Sequence, residues 1–216
     1  TLWKQLNQRS DDVSRFLAAN LIEVCREASD RMKAMPAYAP QYTLHDATHL
    51  LRTTELMSKV LGTTLDVLNS VEIALLILSA HFHDQGMIPD ASELKVMMES
   101  PDFLLFRDNW YLEHPNRNET EQQLSNPALT GEEKSRLALQ LQELESALLT
   151  DYLRSTHSVN SAQYIKSAFG MDKRIEVMGV NLSALTAKLC ISHCQPASSL
   201  NPNEGMRFDE QVGSFA

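Results

Sequence analysis

The sequence predicts an all-α fold, in which a single helical domain carries an inserted helical segment. Gly and Pro are sparse, at 7 and 8 of 216 residues, and both destabilise the interior of a helix. Apolar residues recur at the spacing of an amphipathic helix along most of the chain, whereas the strict alternation of a half-buried strand is nearly absent. With 43% hydrophobic and 22% charged residues, the chain has the composition of a folded globular domain.

The net charge and the length of the apolar stretches limit the classes of partner that we expect. A net charge of −9 argues against a broad nucleic-acid-binding surface, which requires clustered Lys and Arg. No stretch reaches the ~20 apolar residues that span a bilayer, and no signal peptide is visible, so we expect a cytoplasmic protein without a membrane partner. The chain begins at Thr1 without Met, and we expect it to be a piece of a longer protein whose other domains are partners.

The three cysteines form no disulfide framework, which favours reduced thiols. Cys190 and Cys194 lie one helical turn apart, but a zinc site built on them would need further ligands, and the sequence does not identify any. Core packing is therefore the expected role of Cys190.

The first half of the chain is predicted to form three helices. They run from about Asp11 to Met35 within an N-terminal segment of residues 1–36, from His45 or Asp46 to Leu61, and from Ser70 to Asp84. Gly62 is expected to end the second helix. The third is apolar on nearly every side, as expected of a helix in the centre of a core.

The second half is predicted to contain an insertion that divides the sequence of the core into two parts. We expect the core to comprise residues 42–88 and 148–194, with an insertion at about residues 89–147. The remaining predicted elements are helices at Ala91–Glu99 and Pro101–His114, an exposed turn-rich stretch at Asn116–Gly131, two helices within Glu132–Phe169 that meet near Thr150 and Asp151, a short strand or loop at Arg174–Val180, and a helix at Leu182–His193. Residues 195–216 are expected to be mobile.

An adjacent His83 and Asp84 close the apolar helix and are the strongest functional signal. Imidazole and carboxylate together suit a divalent transition metal, and an unpaired carboxylate at the end of an apolar helix is costly. Neighbouring residues on a helix point about 100° apart, so both side chains reach one ion only where the helix ends. We expect Gly86 to supply that ending. The alternative is that both residues merely cap helices.

Other histidines stand far away in sequence but in similar helical contexts. His49 is predicted to be a metal ligand, and His45, one turn earlier, to support it or to line the substrate entrance. A lone histidine on a core-facing surface is otherwise more often a packing residue. His193 closes an apolar helix as His83 does, which makes it a candidate ligand. We treat His81 and His114 as structural or exposed.

His157 follows Arg154 by three residues, so both lie on nearly the same helix face. A guanidinium is a natural partner for a phosphate group. Arg154 is therefore either a substrate-binding residue or half of a surface ion pair with Asp151.

Taken in order, these motifs resemble the HD-domain superfamily of metal-dependent phosphohydrolases. The matching contexts are Tyr42-Thr43-x-His45-x-x-x-His49, the apolar run into His83-Asp84-x-Gly86-Met87, and Arg154-x-x-His157-x-x-x-Ser161, followed by His193. The resemblance is greatest to the phosphodiesterase-like branch with additional histidines. It implies an all-helical fold and one or two divalent ions, with iron, manganese or another transition metal expected.

The resemblance also implies how the ligands are divided. A first metal would be held by His49, His83 and Asp84, and a second by Asp84, His157 and His193. The family's distal Asp would lie beyond the fourth histidine, where this chain offers only Asp209.

Three functions remain open on the sequence alone. The first is hydrolysis of a nucleotide or cyclic nucleotide phosphoester, with Asp84 and Arg154 as the catalytic residues. The second is a catalytically incomplete module that serves as a regulatory or protein-interaction domain in a larger bacterial protein. The third is a helical bundle whose histidines only pack.

Overall fold

A computed structural model describes residues 1–40 and 47–196, and this part of the chain confirms the all-α prediction. Its α-helices are α1 (Leu2–Gln8), α2 (Asp12–Met32), α3 (Met35–Tyr38), α4 (Ala47–Leu61), α5 (Ser70–Phe82), α6 (Ala91–Met98), α7 (Pro101–Glu113), α8 (Pro115–Leu124), α9 (Gly131–Phe169) and α10 (Ser183–Ser192). In the described residues, no helix has both the length and the apolar composition needed to cross a bilayer. The predictions for His45, for Asp209 and for a mobile segment from 197 onward lie outside the described residues.

The N-terminal segment 1–36 contains two helices and the start of a third, so the prediction of one helix is wrong. The chain is extended at Arg9 (φ −80°, ψ 145°), and Asp11 caps α2 by accepting a hydrogen bond from the Ser14 N–H at 2.8 Å. The α1 helix before this break is short, but its Leu2 and Leu6 are fully buried in the core. A helix as short as α1 is not stable alone, so the tertiary packing of these two leucines stabilises it.

Helix α5 lies at the centre of the main core. Its N-terminus carries a capping box, in which Asn69 and Glu72 each accept a hydrogen bond from the other's backbone N–H. Ile73 and Ile77 are fully buried, and α1, α2, α4 and α10 pack around the helix. A helix apolar on all sides must be covered by other elements. This packing fixes where the C-terminus of α5 lies.

Helix α9 is continuous over 39 residues, and the prediction of two helices meeting near Thr150 is wrong. The helix has no interior Gly or Pro, and the Thr150 hydroxyl donates to the Ser146 carbonyl at 2.8 Å, which satisfies it without breaking the backbone. At 1.5 Å per residue, α9 is about 58 Å long. Its C-terminal half packs on α10 and on the turn after α5.

The segment 89–147 forms α6, α7, α8 and the N-terminal half of α9. Its buried aromatic residues Phe103 and Trp110 pack with Leu148 and Tyr152 in a separate apolar cluster. That the segment is an insertion into the core stays a prediction.

The stretch Asn116–Gly131, predicted as turn-rich, contains most of α8. This helix lacks an apolar stripe, which is why hydrophobic periodicity did not reveal it. Its Arg117 pairs with Glu121 and with Glu145 of α9, the latter at 2.7 Å. Such pairs stabilise a helix that is polar on most sides.

The stretch Arg174–Val180 begins in a 3₁₀ turn and continues into a minimal hairpin of β1 (Glu176–Val177) and β2 (Val180–Asn181). Met178 and Gly179 form its two-residue turn, with φ values of 51° and 81°. Two successive positive φ angles are typical of a type I′ turn. The hairpin leads directly into α10.

Candidate metal centre

Five side chains predicted to bind metal converge at one place in the structure. They come from the first turns of α4, the end of α5, the middle of α9 and the end of α10, and they are His49, His83, Asp84, His157 and His193. The rings of His49 and His83 are 6.0 Å apart between centroids, those of His83 and His193 are 5.4 Å apart, and those of His157 and His193 are 5.0 Å apart. Residues up to 144 positions apart in sequence thus share one site.

Asp84 lies between the histidines of α5 and those of α9 and α10. It is only 9% exposed. One carboxylate oxygen is 3.0 Å from His83 Nε2, and the other is 3.4 Å from His157 Nε2. The helix ends at Phe82, and Asp84 adopts φ −106° and ψ 6°, outside the helical region. This change of backbone direction lets two neighbouring residues face a common point.

Three of the histidines are held by backbone carbonyls of their own helices. Their Nδ1–H groups donate to the carbonyls of Ala80, Arg154 and Cys190, one turn earlier in each case. A neutral imidazole with its proton on Nδ1 presents an unprotonated Nε2, which is the metal-binding form. The ring orientation is therefore set before any ligand arrives.

The Nε2 atoms of His157 and His193 are 2.9 Å apart. With both protons on Nδ1, two nitrogen lone pairs face each other beside the Asp84 carboxylate. Acceptors at this distance repel unless a proton or a cation lies between them. The donor set of these residues therefore fits a divalent metal ion.

The surroundings of His83 and His193 shift their pKa values in opposite directions. Burial alone would lower the pKa of His83, but the hydrogen bond and negative charge of Asp84 outweigh it and raise the pKa above its ordinary value. Burial lowers the pKa of His193, and the neighbouring His83 and His157 lower it further. The raised pKa of His83 thus reflects its contact with Asp84, and the lowered pKa of His193 favours the neutral imidazole that ligates metals.

The close ligand atoms fall into two groups. In each group the atoms all lie within 4.8 Å of one another: His49, His83 and Asp84 in one, and His157, His193 and Cys194 in the other. The sequence alone did not reveal these partners of Cys194, which is exposed. Its adjacency to His193 was the available signal, the same arrangement as His83 beside Asp84.

Gly86 has a different role from the one predicted. Helix α5 ends before it, with His83 as the C-cap in ordinary helical geometry, so no glycine conformation is needed to stop the helix. Instead, a Cβ on Gly86 would lie 2.2 Å from the His157 carbonyl oxygen and 2.5 Å from the Ser161 backbone nitrogen. The absence of a side chain lets the turn after α5 contact the backbone of α9.

Arg31 and Gln85 hold the same turn from the opposite side. The Gln85 side-chain amide donates to the carbonyls of Ala28 and His81, at 2.9 and 3.0 Å. The Arg31 guanidinium donates to the Gln85 and Ile88 carbonyls. A buried polar turn is stable only when its backbone groups are paired in this way.

The remaining predicted residues lie as follows. Arg154 is exposed on α9, and Asp151, considered as its ion-pair partner, accepts a hydrogen bond from Trp110 Nε1 at 3.0 Å. His81 is buried, and its Nδ1–H donates to the Ile77 carbonyl at 2.8 Å. His114 stacks on Trp110. Both histidines therefore have structural roles, as expected.

Comparison with known proteins gives one result that bears on this site. A family model described as HD-CE matches residues 39–214, which include every residue of the two groups. Searches of curated proteins and of solved structures found no significant match.

Proposed function

The chain belongs to the HD-CE family, and on that premise we propose that it is a metal-dependent phosphohydrolase that acts on a nucleotide or cyclic nucleotide phosphoester. The observation that carries the proposal is the position of Asp84, whose two oxygens face His83 on one side and His157 on the other. A carboxylate so placed can serve both groups of ligands.

The residues divide into two binding positions. His49, His83 and Asp84 would hold one divalent ion, and His157 and His193, with the second oxygen of Asp84, would hold another. When bound, such ions activate a water molecule as hydroxide and neutralise charge on a phosphate group. Iron, manganese or another transition metal suits this ligand set better than calcium.

The protein's own groups prepare the site for this chemistry. The carbonyls of Ala80 and Arg154 keep the histidine protons on Nδ1 and the Nε2 atoms inward. Asp84 is buried, so its charge is little screened by solvent. The chain is acidic overall, and a phosphate would be attracted by the bound ions rather than by a basic surface.

Arg154 is the proposed contact to a non-bridging phosphate oxygen. Its exposed side chain starts one turn before His157, and its carbonyl accepts the His157 Nδ1–H. A guanidinium beside metal-bound phosphate would stabilise charge that develops during an in-line displacement. We expect Arg154→Met to lower kcat/KM by about 10²-fold while metal content is unchanged.

The direct test is turnover of phosphoesters by the purified chain. It would be assayed with manganese, iron or zinc against nucleoside monophosphates, diphosphates, triphosphates and cyclic nucleotides. Asp84→Asn should abolish turnover, whereas His114→Ala, which alters a histidine stacked on Trp110, should retain it. No turnover with any metal would contradict the proposal.

A non-catalytic regulatory module is the second candidate. Among the ligand groups found in the described residues, Asp84 is the one carboxylate, which leaves a cation with few oxygen ligands. His83→Ala distinguishes the two functions. An enzyme loses turnover along with metal, whereas a regulatory module loses metal and some stability but has no turnover to lose.

A further inference from the structure

We propose that Cys194 is a direct ligand of the second cation, and that this position therefore selects a thiophilic divalent metal such as zinc. The inference deepens the proposed function, since it rests on the same centre and names what the second position binds. It starts from the cluster formed by His157, His193 and Cys194, in which all ligand atoms lie within 4.8 Å of one another.

The two sulfur–nitrogen distances of this cluster match the edges of a tetrahedral zinc site. Zn–N bonds of ~2.0–2.1 Å and a Zn–S bond of ~2.3 Å at tetrahedral angles place two nitrogens about 3.3 Å apart and a nitrogen and a sulfur about 3.5 Å apart. Cys194 Sγ is 3.4 Å from His193 Nε2 and 3.6 Å from His157 Nε2. The two nitrogens are 2.9 Å apart, and a bound ion would have to separate them only slightly.

Asp84, which lies in the first group, would supply the fourth ligand. Its Oδ1 is 3.4 Å from His157 Nε2, close to the about 3.3 Å expected between oxygen and nitrogen ligands of one tetrahedral ion. Two imidazoles, one thiolate and one carboxylate form a ligand set typical of zinc. The first group, His49, His83 and Asp84, contains no sulfur, so the two positions differ in the metal they favour.

The backbone explains why Cys194 reaches the site. Helix α10 ends at Ser192, and His193 is its C-cap at φ −67° and ψ −19°. The end of α5 has the same plan, with His83 as C-cap followed by Asp84. Each helix thus delivers a histidine and an adjacent anionic ligand to the centre, Asp84 from α5 and Cys194 from α10.

The other two cysteines cannot take this role. Cys25 and Cys190 both lie in the main core, where they are 4% and 1% exposed. Cys190 Sγ is directed to the Ser79 carbonyl, 4.0 Å away in the core. A thiolate ligand at this centre must therefore come from Cys194.

The experiment is a cobalt(II) titration of the purified chain, followed by absorption spectroscopy. Cobalt replaces zinc at tetrahedral sites, and a thiolate ligand gives an intense near-ultraviolet charge-transfer band. We expect the band in the wild type and in Cys25→Ala, and its loss in Cys194→Ser while the weaker visible bands of bound cobalt remain. Zinc affinity of Cys194→Ser should fall at least about tenfold, and its manganese affinity by less. Thermal unfolding of both variants checks that they are folded.

The outcomes separate this inference from the proposed function. Cobalt that binds without a thiolate band, or with a band that Cys194→Ser retains, overturns the role of Cys194 and leaves the hydrolase proposal standing. A thiolate band without turnover of any phosphoester supports Cys194 and contradicts the hydrolase. Failure to bind cobalt at all overturns both.

Discussion

The Ser161 hydroxyl joins the turn that bears Asp84 to the helix that bears His157. Its oxygen accepts a hydrogen bond from the Gly86 N–H at 2.8 Å and its hydroxyl donates to the His83 carbonyl at 2.7 Å. Ser161 is fully buried, so these bonds form away from water. One side chain therefore sets the distance between ligands that come from α5 and α9.

Replacing Gly86 with Ala should destabilise the protein and weaken metal binding. The added Cβ would lie 2.2 Å from the His157 carbonyl oxygen, a backbone atom that cannot rotate away, so α9 must shift. We expect the free energy of unfolding to fall by about 3 kcal/mol or more. Chemical denaturation measures this loss, and isothermal titration with manganese or zinc measures the metal affinity.

Gly131→Ala is the matched control for that substitution. Gly131 is the first residue of α9, and among the described residues no atom beyond its chain neighbours and the nearby backbone of its own helix lies within 4 Å of the position that an added Cβ would occupy. Alanine there should be neutral or stabilise by up to about 1 kcal/mol. Equal effects of the two substitutions would show that close backbone contact at Gly86 is not the cause.

Replacing Ser161 with Ala should cost stability through unpaired backbone groups. The Gly86 N–H and the His83 carbonyl would each lose a buried partner, at about 1–3 kcal/mol. Ser167→Ala on the same helix removes an exposed hydroxyl that bonds to the Tyr164 carbonyl and should change stability by less than about 0.5 kcal/mol. A Ser161→Ala protein as stable as Ser167→Ala would refute the bridging role.

Acid should weaken the ion pairs of Arg174, which lies in the 3₁₀ turn before the hairpin and contacts Glu27 of α2. The Arg174 side chain, bonded to both Asp172 and Glu27, holds the pKa of each carboxyl below its ordinary value, although burial partly opposes this. For Asp172 that ordinary value is 3.8. Because the pKa of Asp172 is lower in the folded chain than in the unfolded chain, its charge stabilises the fold. This stabilisation is complete at pH values above 3.8. It is lost as the pH falls through the pKa of the folded chain.

Asp172→Asn tests this contribution. At neutral pH the variant should lose about 1–3 kcal/mol, and the difference from wild type should shrink as the pH falls below about 4. Asp12→Asn removes the exposed carboxylate that pairs with Arg15 and should change little at any pH. A difference between Asp172→Asn and wild type that is constant from pH 7 to pH 2 would contradict the assignment.

Thiol labelling should report occupancy of the second position. Cys194 is exposed whereas Cys25 and Cys190 are buried, so a maleimide should modify Cys194 first in the folded chain. Zinc should slow that reaction at least about tenfold, because a metal-bound thiolate is shielded. Mass spectrometry identifies the modified residue, and labelling that zinc leaves unchanged would count against a bound thiolate.

The features that depend on a local pattern of residues could be predicted from the sequence. Helix α5 was predictable because its apolar run is continuous, and Gly62 follows the last residue of α4 with a φ of 52°, as expected of a glycine that ends a helix. The order and context of His49, His83, His157 and His193 indicated a shared site from the sequence alone. The context of each of these residues is contained in a short stretch of the chain.

The features that were missed depend on contacts between distant residues. Helix α8 has no apolar stripe and owes its place to Arg117 and Glu145, which lie 28 residues apart. The need for Gly86 arises from the backbone of α9, and the ligand geometry of Cys194 arises from His157. No local pattern records the approach of segments so far apart in sequence.

The proposed function requires side chains at the ends of α5 and α10 and on α9 to bind a cation together. The most direct measurement is anomalous diffraction from crystals of the purified chain grown with zinc or manganese. We expect an anomalous peak within about 2.5 Å of an Asp84 oxygen and of at least two histidine Nε2 atoms among His83, His157 and His193. A metal-soaked crystal with no peak there, or with a peak only elsewhere, would contradict it.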